Sequence, residues 1–327
     1  MNRLLEIVEE FSHTHLLVVG DLMLDRFIRG EVDRISPEAP VPVLQVESEH
    51  SGLGGAANVI HNIRSLGGRV TACGIVGRDN AGQRIMAALR EAGASTAGVC
   101  RDDDYPTIQK TRIIASPRHQ QIVRLDREGR RPVAARTLKR LRDFITARFE
   151  RFDGIIVSDY GKGAIHEELL DAIADRAVKR KLVFVVDPKK ENYGAYRYPT
   201  LITPNLREAG EASGIVIRDE ASLCAAGAKL LRKWRANAVL ITRGADGMSL
   251  FRRRGEVSHF PTDARDVFEV TGAGDTVVAV CGLTLAAGAN IADAAKLANL
   301  AAGFVGDEVG TVAVQREQLK RGIKDET

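Results

Sequence analysis

A three-layer α/β sandwich, with a central, mostly parallel sheet and a small β-sheet lid, is the fold class that this sequence of 327 residues predicts. Three observations predict it. Short apolar runs ending in glycine or aspartate, such as His15-Leu-Leu-Val-Val-Gly20, Gly154-Ile-Ile-Val-Ser-Asp159 and Lys181-Leu-Val-Phe-Val-Val-Asp187, read as strands buried on both faces. Helical patterns such as 167–179 separate the strands, and that alternation implies parallel pairing with right-handed crossovers. The proline-rich segment Ser36-Pro-Glu-Ala-Pro-Val-Pro42 breaks the alternation early, as an excursion from the main sheet would. No internal repeat or linker is visible, so one domain over 1–327, with lid segments inserted near 26–48 and 105–126, is expected.

Composition excludes several classes. The formal charge of +4 is too small to signal nucleic acid. Cys73, Cys100, Cys224 and Cys281 form no CxxC pair, which fits free thiols in a reducing compartment without structural zinc. The first ten residues carry acids inside an apolar pattern, so no signal peptide is read there. The uncharged run 276–292 is short and glycine-containing, and reads as one buried helix in place of a membrane span. A cytoplasmic protein with no membrane partner is expected.

Taken in order, the first strand delivers Asp21 and Asp25 to its carboxyl end. Ligands bind at that end of the strands in open α/β sheets, which suits Asp21 to a polyol as well as to a turn or cap. Val41-Pro-Val-Leu-Gln-Val46 alternates as an edge strand does, and 107–125 has strand character to pair with the excursion. On the second stretch Lys110, Arg112 and Arg124 alternate with apolar residues. They either face an anionic substrate together or stand as exposed cations.

Gly52-Leu-Gly-Gly-Ala-Ala-Asn58 opens a helix running to about Leu66. It matches a loose dinucleotide fingerprint, but no acid closes the next strand, 70–75, where such a site would need one. Close approach of the Gly54 and Gly55 backbone to a sugar, with Asn58 bonding hydroxyls, is the better reading. Strand and helix then recur at 70–75, 81–92 and 137–149, and Asp159, Asp187 and Lys189 project from later strand ends near the opening of the site.

Leu201-Ile-Thr-Pro-Asn205 leads into a helix on which Asn205 and Glu208 share a face. They form a capping box or organise Mg²⁺ through water, and the residues favour the cap. After the strand 238–242, Thr242, Arg243 and Gly244 form a turn against which nucleotide phosphates can rest, and a hairpin over 247–260 follows. A helix over 291–304 carries Asn299 and Gly303 toward an adenine pocket. Between these lies Val270-Thr-Gly-Ala-Gly-Asp-Thr276, the stretch that concentrates the chemistry. Its glycines allow a sharp turn into a helix whose first N–H groups, on Gly272, Ala273 and Gly274, remain free for an anion. Asp275 beside them is placed as a general base. An ordinary capped core helix is the alternative.

Gly54-Gly-Ala-Ala-Asn58 and Thr271-Gly-Ala-Gly-Asp275, separated by a β-α-β chain, together resemble the two signatures of the ribokinase/PfkB carbohydrate-kinase family. Asn205-Leu-Arg-Glu208 is similar to that family's NxxE magnesium motif, and no GxxxxGK[ST] loop is present. The resemblance implies ATP as co-substrate, Mg²⁺, a sugar or sugar phosphate as acceptor, and the ribokinase-like sandwich. It narrows at Val19-Gly-Asp-Leu-Met-Leu-Asp25, Arg34-Ile-Ser-Pro-Glu-Ala-Pro-Val-Pro42, Ser158-Asp-Tyr-Gly-Lys-Gly163, Asp187-Pro-Lys189 and Thr203-Pro-Asn205. These are similar to the branch that phosphorylates the anomeric hydroxyl of D-glycero-β-D-manno-heptose 7-phosphate on the route to ADP-heptose and lipopolysaccharide. That branch is often fused to an adenylyltransferase. No HxGH motif occurs here, so the kinase alone is expected, as a homodimer formed through the lid. Glu269 and the stretch 306–310 depart from the family pattern.

Overall fold

The computed structural model describes residues 3–116, 120–129, 131–253, 255–262, 272–305 and 313–325. Its first half runs α1 (Arg3–Glu10), β1 (His15–Gly20), β2 (Leu22–Ile35), β3 (Pro42–Gly55), α2 (Ala56–Ser65), β4 (Arg69–Gly77), α3 (Asn80–Glu91), β5 (Ser95–Asp102), β6 (Ile108–Ser116), β7 (Gln120–Arg127) and α4 (Ala135–Arg148). There follow β8 (Gly154–Ser158), α5 (Glu167–Arg180), β9 (Val183–Asp187), β10 (Leu201–Ile202), α6 (Leu206–Ser213), α7 (Glu220–Trp234) and β11 (Ala238–Thr242). The chain ends with the hairpin β12 (Met248–Arg252) and β13 (Val257–Phe260), then α8 (Ala273–Ala286), α9 (Ile291–Gly303) and α10 (Arg316–Asp325).

Among the described residues nine strands form the main sheet, in the order β13-β12-β11-β10-β9-β8-β1-β4-β5. All neighbours pair in parallel except β11–β12 and β12–β13. The apolar runs work here by their period of two. Leu16 and Val18 of β1 point into the core under α2, α8 and α9, while Leu17 and Val19 point into the core under α4, α5 and α7. Two apolar cores on opposite faces make three layers. The chain leaves β1 toward β4 on one side and returns through β8 on the other, so the order reverses at β1 and β8, where a ligand crevice is expected.

A second sheet of four strands has the order β3-β2-β6-β7. β2 follows β1 after Asp21 alone, pairs antiparallel with β3 and parallel with β6, and places Asp25 level with Lys110 and Phe27 level with Arg112. The antiparallel β6–β7 register sets Arg112 opposite Arg124. The root of β2 is buried and its tip is exposed, and every residue of β7 is exposed.

Two expectations are corrected. The run 276–292 is not one helix. α8 stops at Ala286, Gly288 takes a left-handed φ of 83°, and Asn290 caps α9 by accepting from Asp293 N at 2.9 Å. Nor does a helix open at Gly52, since 52–55 complete β3 and the helix begins at Ala56. Among the described residues, no helix is long and apolar enough to cross a membrane.

Candidate active site

Asp275 lies in the first turn of α8 and is 3% exposed. Asn58 Nδ2 donates to its Oδ2 at 2.9 Å, and the Tyr160 hydroxyl donates to its Oδ1 at 2.7 Å. Burial pushes the Asp275 carboxyl up to about 6, against the pull of these two donors. Asn58 is itself oriented from below. Asn62 Nδ2 donates to Asn58 O at 3.1 Å and to Oδ1 at 3.4 Å, which leaves the Asn58 amino group for the carboxylate. Thr276 Oγ1 donates to Asn62 Oδ1 at 3.1 Å, so α2 and α8 are tied by one buried polar chain.

The two glycines before α2 have steric reasons. Gly55 holds φ 54°, ψ −134°, and a Cβ there would lie 2.7 Å from Asp21 O. A Cβ on Gly54 would lie 2.7 Å from Asp25 Oδ2. Bare backbone at this corner is what lets β3, Asp25 and α2 converge.

Asp21 is only 1% exposed and accepts from three backbone N–H groups, those of Tyr160 at 2.9 Å, Lys162 at 3.1 Å and Ala164 at 3.1 Å. Asp159 accepts from Gly161 N, Asn192 Nδ2 and the Tyr196 hydroxyl at 2.6–2.8 Å. Burial raises both carboxyls, Asp159 to about 6 with a second push from Asp21. Asp21 and Asp159 thus hold the loop 159–164, and for Asp21 this is the turn-or-cap reading that the sequence left open beside contact with a polyol. Such anchoring is invisible in sequence because the donors to Asp21 lie 139 and more residues away.

Three residues at the site carried no assigned role from sequence. Asp25 accepts from Arg112 Nη1 at 3.1 Å in a nearly buried pair. Tyr160 reaches Asp275 from the loop after β8, and its hint was a lone aromatic beside glycines at a strand end. Asp187 ends β9, and its carboxyl is driven well up by burial, then by Glu208 and Asp275.

The cations of the smaller sheet share the face that bears Asp25. Lys110 Nζ lies 5.1 Å from the centre of the Tyr160 ring, Arg112 pairs with Asp25, and Arg124 grips Asp126 with two bonds of 2.8 and 2.9 Å. Burial pulls the Lys110 ammonium down, opposed by Asp25. They are brought together, each against a carboxylate or a ring.

Further along the strand ends, Asn205 and Glu208 form the capping box, with reciprocal bonds of 2.9 and 3.2 Å. Glu208 Oε1 also accepts from Lys189 Nζ at 2.9 Å. Asn205 bridges to Thr242, so both residues sit beside the turn carrying Arg243 and Gly244. Arg243 Nη1 donates to Ser249 Oγ at 3.3 Å, and Asn299 Nδ2 donates to Pro261 O at 2.8 Å. A Cβ at Gly244, Gly274 or Gly303 would meet no atom of the described residues within 4 Å. Gly272 opens α8 at φ 91°, leaving the first N–H groups of the helix, at Ala273 and Gly274, pointing outward from its end. Val270, Thr271, Glu269 and 306–310 lie outside the described residues.

Residues 13–317 match the model described as pfkB family carbohydrate kinase. Among curated proteins, "Bifunctional protein HldE" of Geobacter metallireducens is 49% identical over 312 residues, covering 94% of this chain and 63% of that protein. The protein of the same name from Desulfatibacillum aliphaticivorans is 43% identical over 319 residues, covering 98% and 65%. The chain thus spans just under two thirds of the length of these relatives. Among solved structures, Arabidopsis thaliana ribokinase complexed with ribose and ATP aligns at TM-score 0.74 and 18% identity, covering 95% of this chain and 99% of that one. Escherichia coli phosphofructokinase-2 in complex with substrates and products aligns at 0.80 and 18%, with the same coverage. At such identity they show the ribokinase-like fold alone.

Proposed function

The chain belongs to the PfkB family of carbohydrate kinases, and from that premise we propose that it transfers the γ-phosphoryl group of ATP to the anomeric hydroxyl of D-glycero-β-D-manno-heptose 7-phosphate. The 1,7-bisphosphate formed would feed the route to ADP-heptose and lipopolysaccharide. One observation carries the reaction: a buried carboxylate, Asp275, held by two donors in the first turn of a helix, with Lys110 and Asp25 of the smaller sheet acting on its charge. The heptose reading is supported by the segments 19–25, 34–42, 158–163, 187–189 and 203–205 and by similarity to proteins named HldE.

In this reading Asp275 takes the proton of the anomeric hydroxyl as its oxygen bonds to phosphorus, and ADP leaves from the opposite side. The N–H groups of Gly272, Ala273 and Gly274 meet the charge on the phosphoryl oxygens. Asn58, Asp25 and the bare backbone at Gly54 and Gly55 border the sugar, and the smaller sheet acts as its lid. Lys110, Arg112 and Arg124 exchange their present partners for the sugar's 7-phosphate. The nucleotide lies along Asn205, Thr242, Arg243 and Gly244, with Asn299 and Gly303 near its base.

The residues present fit Mg²⁺ held through water. Asp187 and Glu208 are hard oxygen donors that repel one another, with Lys189 as the nearby counter-charge. Among the described residues no group of three His, Cys, Asp or Glu is placed to hold a metal ion directly. When bound with ATP, Mg²⁺ would neutralise phosphate charge. The exposed apolar residues Ile35, Val46, Val123 and Leu125 on the lid would be covered in a homodimer.

An ADP-release assay with Mg²⁺-ATP tests the proposal, comparing the heptose phosphate with fructose 6-phosphate and ribose. Turnover with the heptose phosphate alone supports it. Turnover only with another sugar removes the substrate while keeping the chemistry, and silence with all three overturns the assignment.

A further inference from the structure

Among the described residues, five groups that affect its charge face Asp275. Asn58 comes from α2, Tyr160 from the loop 159–164, Asp25 from β2, Lys110 from β6 and Asp187 from β9. Of these, Tyr160 alone connects the carboxylate to both other parts of the machinery. Its hydroxyl donates to Asp275 Oδ1 at 2.7 Å, its ring carries the Lys110 ammonium, and its backbone N–H is held by Asp21. Two residues on, Lys162 pairs with Glu128 at 2.5 Å, just past the end of β7. The Tyr105 hydroxyl donates to Lys162 O at 3.2 Å. One short loop therefore touches the smaller sheet twice and the carboxylate once.

We propose that Tyr160 is a positioning residue through which the lid sets the base. With the lid seated, Lys110 lies on the ring and Glu128 on Lys162, and the phenol is fixed where it donates to Asp275. A cation over an aromatic face is attractive and distance-dependent, so the ring follows the lid. A donor to the ionised carboxylate favours the form that accepts a proton. The phenol remains a donor at any working pH, because burial and Asp275 push its own ionisation far up. Oδ1 retains a second lone pair for the incoming hydroxyl. This inference rests on Asp275 being the base of the reaction proposed above.

The test is Tyr160→Phe, read in two ways. Carbon-13 NMR titration of the aspartate carboxyls, with Asp275 assigned through Asp275→Asn, should show the Asp275 midpoint about one pH unit higher in Tyr160→Phe. The acid limb of kcat/KM should move by the same amount, so the loss is several-fold larger at pH 6 than at pH 8. Lys110→Met should raise the midpoint less in the Tyr160→Phe background than in the wild type, because the part of its effect that passes through the phenol is then gone, and equal shifts in the two backgrounds overturn the lid's part in the proposal. An unmoved midpoint in Tyr160→Phe overturns the proposal. So does a pH-independent loss of activity with a lower Tm, which is what a packing role would give. Wild-type inactivity on all sugars would instead remove the functional reading, and the NMR titration would still decide whether Tyr160 sets the carboxylate.

Discussion

The two sheets of this molecule are built on opposite terms. In the main sheet β1, β8, β9 and β11 are buried on both faces, and each residue's role is fixed by which core it enters. In the smaller sheet β2 is buried only at its root, β7 not at all, and the face toward Asp275 carries Asp25, Lys110, Arg112, Arg124 and Asp126. One sheet spends its side chains on packing and the other on charge. The contrast teaches where stability and substrate recognition reside, and substitutions should separate the two.

The largest effect falls where the sheets meet. Asp275→Asn should lower kcat by about a hundred- to ten-thousand-fold, measured by ADP release. The same change should stabilise the fold at pH 8. The folded carboxyl is raised to about 6 from 3.8, so its charge costs the native state nothing below 3.8, increasingly up to about 6, and fully above. Removing that charge should stabilise by about 1–3 kcal/mol in urea unfolding. A variant that is both dead and less stable at pH 8 would deny that the carboxylate is a strained part of the core.

The comparison sharpens with a matched pair. Phe184→Ala, in β9 and 1% exposed, should destabilise by about 3–5 kcal/mol. Leu125→Ser, on the outer strand and 54% exposed, should change monomer stability by no more than about 0.5 kcal/mol. Equal losses would mean that the smaller sheet packs as tightly as the larger.

Next in size is Arg112→Ala. It removes a proposed phosphate contact and strands Asp25 without its ion-pair partner, so the sugar KM should rise about ten- to a hundredfold while the KM for ATP holds. A rise in the KM for ATP instead would place the lid cations on the nucleotide. The smallest effect belongs to Glu128→Gln. Its pair with Lys162 is partly exposed, so thermal stability should shift by less than about 1 kcal/mol, and any change should appear in sugar KM.

The same contrast explains what the sequence could say. Strands of the main sheet announce themselves, because burial on both faces demands unbroken apolar runs such as Leu16-Leu-Val-Val19. Asp275 and Asn58 were legible because each follows a glycine pair at a helix start. The anchoring role of Asp21 and the ion pair of Asp25 were out of reach of the sequence for a common reason. Which carboxylate meets backbone donors and which meets Arg112 depends on the loop 160–164 and on the β2–β6 register, contacts that span 87 residues or more. Nothing within a few positions of either aspartate encodes them. The break between α8 and α9 was readable in principle, since Gly288 followed by Asn290 is a stop and a start signal, but the uncharged composition masked it.

The join between β3 and α2 constrains how this lid can be remodelled. Strand passes into helix at Gly55–Ala56 with no intervening loop, and Asn58 is already bonded to Asp275 three residues later. A residue inserted there would rotate Asn58 about a hundred degrees around the helix axis and away from the carboxylate. The exposed turn over 36–41, at the far end of the same hairpin, has no such obligation. Length variation is therefore tolerated at the tip and forbidden at the root, so the reach of the lid can diverge while its attachment stays in register.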